Sequence, residues 1–345
     1  MFKDDKHIFI DKEAEYYKKL NHEKVECTLC PRECIVDSDE RGYCGVRENR
    51  DGKYYTLVYG NPCAAHVDPI EKKPLFHFLP GTTCFSISTA GCNVNCKFCQ
   101  NWQISQLRPE QTDNIKLFPD DVVRSAKYYN CSTIAYTYGE PTIFYEYMLD
   151  TAKKGCNSNV RSVMISAGYI KEEPMKELCN HLDAVKIDLK AITEKYYKEV
   201  INGELKPVLS TLELLKKIGI WFEIVYLVVS TLNDSEKEFK DLSKWIKNNL
   251  GPDVPIHFSR FYPQYLLKNL PATPVKTLEK AVEIARGNGL NYVYIGNIPN
   301  HEATNTYCPQ CKEVVIERLG YAVKKNYIKD GRCNLCNKKI PGIWK

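Results

Sequence analysis

The chain has no long apolar run and no concentrated block of charge. Nowhere do about 18 consecutive apolar residues occur, which excludes an ordinary membrane-spanning helix. The stretch from Met1 to His7 lacks the apolar core of a secretory signal peptide, so we expect a cytoplasmic location. The 48 lysines and arginines barely exceed the 43 acidic residues, and the surplus is spread along the chain. This distribution argues against a nucleic-acid partner.

Cysteine, in contrast, is abundant, with 16 in 345 residues. In a reducing compartment, closely spaced cysteines hold metal more often than they form disulfides. We interpret the isolated cysteines as small core residues; they are Cys63, Cys84, Cys131, Cys156 and Cys179. The others form three sets: Cys27, Cys30, Cys34 and Cys44; Cys92, Cys96 and Cys99; and Cys308, Cys311, Cys333 and Cys336.

The central set has the spacing Cys-x3-Cys-x2-Cys. It lies in the sequence Gly91-Cys-Asn-Val-Asn-Cys-Lys-Phe-Cys-Gln100. A four-iron cluster normally takes four thiolates, so three leave one iron open to a small molecule. Zinc would usually need a fourth ligand and a different spacing. The set therefore predicts an iron–sulfur cluster that takes part in chemistry.

Between about residues 80 and 300, short apolar runs alternate with amphipathic stretches, the pattern of a parallel sheet with crossover helices. The pattern predicts an α/β fold, either a partial (βα) barrel or a doubly wound sheet, and does not distinguish them. The strand candidates are 84–89, 133–138, 161–166, 184–188, 221–229, 256–261 and 292–295. The helix candidates are 120–129, 142–154, 175–181, 208–218, 235–248 and 275–288.

Catalytic groups of such folds lie at the carboxyl ends of the strands. Gly139 and Glu140 follow the second strand candidate, Ser166 ends the third, and Asp188 with Lys190 ends the fourth. Residues two apart on a strand point to the same side, so Asp188 and Lys190 could reach one ligand. The alternatives are a helix-start carboxylate for Glu140 and an ordinary ion pair for Asp188 and Lys190. His257, Ser259 and Arg260 are weaker candidates, because a satisfied core histidine explains His257 equally well.

The two flanking cysteine sets predict further metal sites. The C-terminal set consists of two Cys-x2-Cys knuckles, which predict a zinc-ribbon-like module with zinc or a rubredoxin-like iron. The N-terminal set could hold zinc or an auxiliary iron–sulfur cluster, and its members could also be free core thiols.

The chain is predicted to have three parts: a Cys-rich segment and arm at 1–80, a (βα) barrel at 81–300 and a four-cysteine module at 301–345. The arm, 68–81, has proline at both ends, which argues against a regular helix. It could cover the active site or pack as a linker.

The arm sequence Asp68-Pro-Ile-Glu-Lys-Lys-Pro-Leu75, the central loop and both flanking cysteine sets resemble the AmmeMemoRadiSam-system proteins of the radical S-adenosylmethionine (SAM) superfamily. These are similar to pyruvate formate-lyase activating enzyme. The resemblance implies a (βα)6 barrel and a [4Fe–4S] cluster on Cys92, Cys96 and Cys99. It also implies SAM bound near Gly139, Glu140, Ser166, Asp188 and Lys190, while Tyr138 stands where the superfamily has its first glycine.

The resemblance predicts a radical SAM oxidoreductase. Such an enzyme cleaves SAM reductively to a 5′-deoxyadenosyl radical, which here would abstract hydrogen from an unidentified protein or small molecule. A flavodoxin or ferredoxin would be the electron donor. One alternative is an activase of a glycyl-radical enzyme. Another is a metal-stapled binding or scaffold protein that holds zinc without iron. No residue stands out as catalytic.

Overall fold

The computed structural model describes residues 10–345, which divide into two compact units of non-contiguous chain. Unit 1 contains residues 10–67, Cys84–Asn95 and Gln100–Asp183, and unit 2 contains Asp68–Thr83, Cys96–Cys99 and Ala184–Lys345. The stretch from Met1 to His7 lies outside the described residues. Within 10–345, no helix is long and apolar enough to cross a membrane.

Unit 1 begins with two small antiparallel sheets. The strands are β1 (Lys12–Glu13), β2 (Tyr17–Lys19), β3 (Val25–Cys27), β4 (Ile35–Val36), β5 (Arg47–Arg50) and β6 (Lys53–Thr56). They pair in the orders β1-β6-β5 and β2-β3-β4. Arg47, on β5, is buried and forms an ion pair with buried Glu146. This ion pair attaches the two small sheets to the α/β part of unit 1.

The larger part of unit 1 is α/β. Its strands are β7 (Ala64–Pro69), β8 (Thr83–Ser88), β9 (Thr133–Tyr136) and β10 (Arg161–Ser166), and its helices are α1 (Trp102–Ser105), α2 (Pro119–Tyr128), α3 (Tyr145–Asn157) and α4 (Glu172–Cys179), with 3-10 turns at Pro109–Gln111 and Pro141–Phe144. Strands β8, β9 and β10 are parallel and adjacent, and β7 lies beside β8. Every residue of β9 is buried, which explains its apolar sequence. The carboxyl ends of the three parallel strands lie at one edge.

Unit 2 contains four parallel strands in chain order. The strands are β11 (Ala184–Asp188), β12 (Trp221–Val228), β13 (Ile256–Arg260) and β14 (Val293–Gly296), and the helices are α5 (Glu194–Tyr196), α6 (Leu205–Ile218), α7 (Glu236–Asn249) and α8 (Val275–Gly287), with short helical turns at Ile70–Lys72, Tyr197–Ile201, Tyr265–Leu267 and Glu302–Thr304. The Ser235 hydroxyl accepts the Glu238 N–H at 3.2 Å and caps the start of α7. Helix α6 ends at Gly219, whose φ of +84° is left-handed.

The C-terminal part of unit 2 is built from short strands. They are β15 (Thr306–Tyr307), β16 (Val314–Leu319), β17 (Ala322–Asn326), β18 (Ile328–Lys329) and β19 (Arg332–Cys333). Strands β15, β16 and β17 form one antiparallel sheet, and β18 pairs with β19. Their core combines aromatic, aliphatic and cysteine side chains, namely Phe76, Tyr292, Tyr294, Cys308, Val315, Cys333 and Ile340.

The predicted α/β fold class is confirmed, because each unit contains four strands that alternate with helices along the chain. The predicted strands 161–166 and 184–188 coincide with β10 and β11. The helix predicted at 142–154 is instead a 3-10 turn followed by α3, because Glu140 caps the turn and Pro141 begins it. Closure into a partial barrel stays a prediction, and so does the division at 80/81 and 300/301.

Candidate functional site

The central cysteine loop begins at a glycine held in a left-handed conformation. Gly91 has a φ of +94°, and a side-chain carbon added there would lie 2.7 Å from the Cys44 carbonyl oxygen. Its N–H donates to the Ile104 carbonyl at 2.9 Å. Glycine alone fits this approach without strain. It places half-buried Cys92 in the wall of a polar cavity of about 710 Å³ within unit 1.

The other two cysteines of the loop belong to unit 2, where a tight turn joins them. The Cys99 N–H donates to the Cys96 carbonyl at 3.0 Å. The backbone of Lys97 is fixed on both sides: its N–H donates to Val200, and its carbonyl accepts from Leu266, each at 2.9 Å. Cys96 is buried and Cys99 is half-buried.

Two of the predicted SAM-binding residues, Glu140 and Ser166, meet at the ends of β9 and β10. The Ser166 hydroxyl donates to Glu140 Oε1 at 2.6 Å, and the Ala167 N–H donates to Oε2 at 2.7 Å. Thr142 donates to Oε1 through its N–H at 3.1 Å and its hydroxyl at 2.7 Å. Glu140 is therefore a helix-start carboxylate that also links two neighbouring strand ends.

Gly139 packs against the end of β8. Its N–H donates to Ser88 Oγ at 3.0 Å. A side-chain carbon added to Gly139 would lie 2.9 Å from that oxygen and 3.3 Å from the Thr89 carbonyl. Gly139 is thus required for the close approach of two strand ends. The sequence analysis missed Ser88, because a serine inside an apolar strand carries no distinguishing pattern.

Asp188 and Lys190 form an ion pair at the end of β11, with Lys190 Nζ 3.4 Å from Asp188 Oδ2. Lys186 binds the other carboxylate oxygen. Burial favours the neutral acid, yet the two ammonium groups hold the pKa of Asp188 below its usual value. Burial also opposes the charge on Lys190, but Asp188 and then Cys96 hold the pKa of Lys190 above its usual value. Lys190 Nζ lies 5.8 Å from the centre of the Phe98 ring.

The four C-terminal cysteines of unit 2 form a compact group. Cys308 Sγ lies 3.5 Å from Cys336 Sγ, and Cys311 Sγ lies 3.8 Å from Cys333 Sγ. All four sulfur atoms lie within 4.8 Å of one another. The Lys338 backbone N–H, together with the neighbouring thiols, lowers the pKa of Cys336 to about 7. The group has the composition and the spacing of a four-thiolate metal site.

Two similar turns carry these cysteines. The Lys312 N–H donates to the Cys308 carbonyl at 3.0 Å, and the Asn337 N–H donates to the Cys333 carbonyl at 2.9 Å. Lys312 and Asn337 are both left-handed, with φ of +66° and +61°. Each turn therefore presents one Cys-x2-Cys pair in the same way, as the two knuckles predict.

The N-terminal cysteines also come together. Cys27, Cys30, Cys34 and Cys44 all line one small cavity within unit 1. Cys27 and Cys30 are buried, and Cys34 and Cys44 are half-buried.

Known proteins identify the family. The radical SAM superfamily model matches residues 86–246. An uncharacterized protein of Methanocaldococcus jannaschii is 45% identical over 331 residues, which cover 95% of this chain and 98% of that protein. The chain belongs to the radical SAM superfamily. The pyruvate formate-lyase-activating enzyme of Clostridium pasteurianum is 23% identical to this radical SAM protein over 160 residues, 46% of this chain and 67% of that enzyme.

A solved structure supports the fold alone. The radical SAM methyltransferase from Sphaerobacter thermophilus superposes on this radical SAM protein with a TM-score of 0.51 at 15% identity, covering 68% of this chain and 71% of that chain.

Radical SAM enzymes use a [4Fe–4S] cluster and SAM, and the central loop suits the cluster chemically. All 16 cysteines lie in the described residues, and none forms a disulfide there. The loop thus offers three thiols of the ligand type that iron–sulfur clusters take. Gly91 sets the backbone at the start of the loop, and a turn joins Cys96 to Cys99.

The arm packs within unit 2 through a carboxylate that sequence analysis missed. The N–H groups of Phe76 and His77 donate to Glu223 at 3.0 and 2.8 Å. His257 Nε2 lies 2.8 Å from Glu223 Oε2, which makes His257 a hydrogen-bonded core residue. Burial lowers the pKa of His77 to about 4. A single acid inside an apolar strand, such as Glu223, gave no signal of this role.

Proposed function

We propose that this radical SAM enzyme binds a [4Fe–4S] cluster through Cys92, Cys96 and Cys99 and takes a hydrogen atom from a protein or small-molecule substrate. One observation carries the proposal: in unit 1 the Cys92 loop follows β8, and Glu140 and Ser166 meet at the ends of the neighbouring strands β9 and β10. When bound, the cluster and SAM would supply a 5′-deoxyadenosyl radical by one-electron reductive cleavage of SAM, with methionine as the other product, and Cys92, Cys96 and Cys99 would hold the iron.

Gly139 and Glu140 would hold the amino-acid part of SAM, and Ser166 would position Glu140. The support is the fixed geometry of the carboxylate, which Thr142, Ser166 and Ala167 hold by hydrogen bonds. A carboxylate that is already oriented loses little conformational entropy when an ammonium group binds it.

Asp188 and Lys190 would flank SAM on the substrate side. The pair is anchored by Lys186, which compensates the carboxylate charge from a second direction. Lys190 is close to Phe98, the aromatic residue of the cluster loop, within unit 2. An ammonium group held beside the cluster segment would favour the negatively charged thiolates there.

We infer that the C-terminal four-cysteine site holds zinc. A zinc ion with bonds of about 2.3 Å to four thiolates separates the sulfur atoms of a tetrahedron by about 3.8 Å. The sulfur pairs at 3.5 and 3.8 Å are close to this spacing. Because a single iron has similar geometry, metal analysis combined with the visible absorption of an iron–thiolate site distinguishes the two metals.

The test is anaerobic assay of the reconstituted chain with SAM and dithionite, with 5′-deoxyadenosine followed by chromatography. The native chain should form the nucleoside, and Cys96→Ala should form none. The matched control is Cys131→Ala, a buried cysteine outside the three sets, which should keep the activity. Equal nucleoside from Cys96→Ala, or a fully iron-loaded native chain that neither cleaves nor binds SAM, would overturn the proposal.

Activation of a glycyl-radical enzyme is the second candidate, because a pyruvate formate-lyase-activating enzyme is among the relatives. In this case the hydrogen comes from a backbone glycine of a partner protein. Electron paramagnetic resonance of a partner incubated with the enzyme and SAM should then show a glycyl radical. A flavodoxin or ferredoxin is the proposed reductant, and cytoplasmic location stays a prediction. Membership of an enzyme superfamily disfavours the scaffold alternative.

A further inference from the structure

The four N-terminal cysteines converge on one cavity, although their spacing in the sequence is uneven. Cys27 ends β3, while Cys30, Cys34 and Cys44 lie on the loops that follow. All four line a cavity of about 20 Å³ inside unit 1. Four buried or half-buried thiols that line one cavity are more than packing alone explains, since each cysteine outside the three sets lies singly in the sequence.

Tight turns bring these cysteines together. The Cys27 N–H donates to the Cys34 carbonyl at 2.9 Å, which closes the loop between them. The Glu33 N–H donates to the Cys30 carbonyl at 3.3 Å, and Glu33 is left-handed with a φ of +46°. The backbone thus adopts a costly conformation to direct the thiols towards the cavity.

Backbone N–H groups face the sulfur atoms. The Tyr43 N–H donates to Cys34 Sγ at 3.4 Å. The N–H groups of the residues two positions after Cys27, Cys30 and Cys44 also interact with those thiols. Amide donors therefore surround the four sulfur atoms, as the outer-shell donors around metal-bound ligands do.

The buried side-chain amide of Asn93 also lies at the cavity that the four cysteines line. Asn93 lines the same cavity and is 1% exposed. Its Nδ2 donates to the Tyr169 carbonyl at 2.7 Å, while within the described residues its Oδ1 has no hydrogen-bond partner. The buried amide is therefore part of the cavity wall beside the sulfur atoms.

A cluster suits the N-terminal set better than a single ion. Among residues 10–345, the ligand atoms close enough together to hold a single ion are those of the C-terminal set. A single tetrahedral ion needs sulfur atoms about 3.8 Å apart. A cube of four irons is larger and holds its thiolates farther apart.

We propose that Cys27, Cys30, Cys34 and Cys44 bind a second iron–sulfur cluster, in addition to the SAM cluster. Its four protein ligands leave no open iron, so this cluster is distinct in kind from the one on the central loop. It lies beside that loop within unit 1, because the Cys44 carbonyl borders Gly91 and both Cys44 and Cys92 line the larger cavity.

The test separates this cluster from the proposed function by removing the SAM cluster. The full-length triple variant Cys92→Ala, Cys96→Ala and Cys99→Ala is reconstituted anaerobically with iron and sulfide. It should retain about four irons and about four acid-labile sulfides per chain. Mössbauer spectra should show a cluster with four thiolate ligands. The sulfide measurement is decisive, because a mononuclear iron at the C-terminal site contains none.

Adding Cys30→Ala and Cys34→Ala to the triple variant should abolish the sulfide, whereas adding the matched change Cys63→Ala should not. Circular dichroism of each variant shows whether it folds, and alkylation of the native chain gives a second measurement that needs no variant. The thiols of Cys27, Cys30, Cys34 and Cys44 should resist alkylation until a chelator removes iron. Zinc in place of sulfide in the triple variant, or sulfide that survives the two additional changes, would overturn the proposal.

Discussion

At the scale of single residues, the carboxylate of Glu140 accepts four hydrogen bonds, two from Thr142 and one each from Ser166 and Ala167. Replacement by Gln puts an NH2 group where one oxygen now accepts from a backbone donor, either the Thr142 N–H or the Ala167 N–H. A donor that faces another donor in the core costs about 1–3 kcal/mol. We expect Glu140→Gln to lower the free energy of unfolding by that amount and to weaken SAM binding.

Urea unfolding and SAM titration check both effects, and the exposed Glu213→Gln is the matched control. Native-like stability with weaker SAM binding would assign Glu140 to the cofactor alone. Unchanged SAM binding with lower stability would leave Glu140 as a helix-start carboxylate.

The histidine of the arm predicts a stability that depends on pH. Burial lowers the pKa of His77 from 6.5 to about 4, so the unfolded chain binds the proton first as pH falls. The stabilisation is complete above about pH 6.5 and is lost as pH falls towards 4. The loss should approach about 3 kcal/mol.

Urea unfolding of the metal-loaded chain at about pH 7 and about pH 5 measures this loss. His77→Gln should show a smaller difference between the two pH values than the native chain. The exposed His22→Gln should keep the native difference, and equal pH dependence in His77→Gln would count against the mechanism.

Residue types in the sequence predicted which side chains would lie at strand ends, but not their partners. The pairing of Glu140 with Ser166 required the register of β9 and β10, and the sequence carries no direct signal of that register. Lys186 was not predicted to belong to the site, although its ammonium group reaches the carboxylate of Asp188. Ion pairs between residues of one strand end depend on rotamers that spacing does not determine.

At the scale of elements, the C-terminal strands depend on their cysteines. Cys308 and Cys333 are part of the core of this region, beside Val315 and Ile340. Because metal binding supplies folding free energy in small thiolate modules, Cys333→Ala should lose the bound metal and lower the melting temperature. Metal analysis and calorimetry check this, with half-buried Cys179→Ala as the control. Full metal retention by Cys333→Ala would contradict it.

The elements themselves were largely predictable, because parallel strands buried on both faces have continuous apolar sequences. Strand β11, Ala184–Asp188, has the bounds that the sequence predicted. Helix α4 starts earlier than the predicted 175–181, at Glu172, because two acidic residues favour its first turn ahead of the apolar positions. Barrel closure has no such local signal, because it depends on the positions in space of strands that are far apart in the chain.

At the scale of the whole molecule, the proposals together predict a metal inventory. The fully loaded chain should contain about eight irons and about eight sulfides and about one zinc. Elemental analysis after anaerobic reconstitution measures this. About four irons with two zincs would place zinc in the N-terminal set, and a ninth iron without zinc would indicate iron at the C-terminal set.

The arm joins residues that the ribosome makes very far apart. His77 Nδ1 lies 2.7 Å from the Pro341 carbonyl, a separation of 264 residues, and the Ile343 N–H donates to the His77 carbonyl at 2.8 Å. During synthesis, the Glu223 partner of His77 is made well before Pro341 and Ile343, which complete its contacts. Unit 2 can therefore complete its packing around the arm only after Ile343 has been synthesised, and until then this part of the nascent chain is incompletely packed.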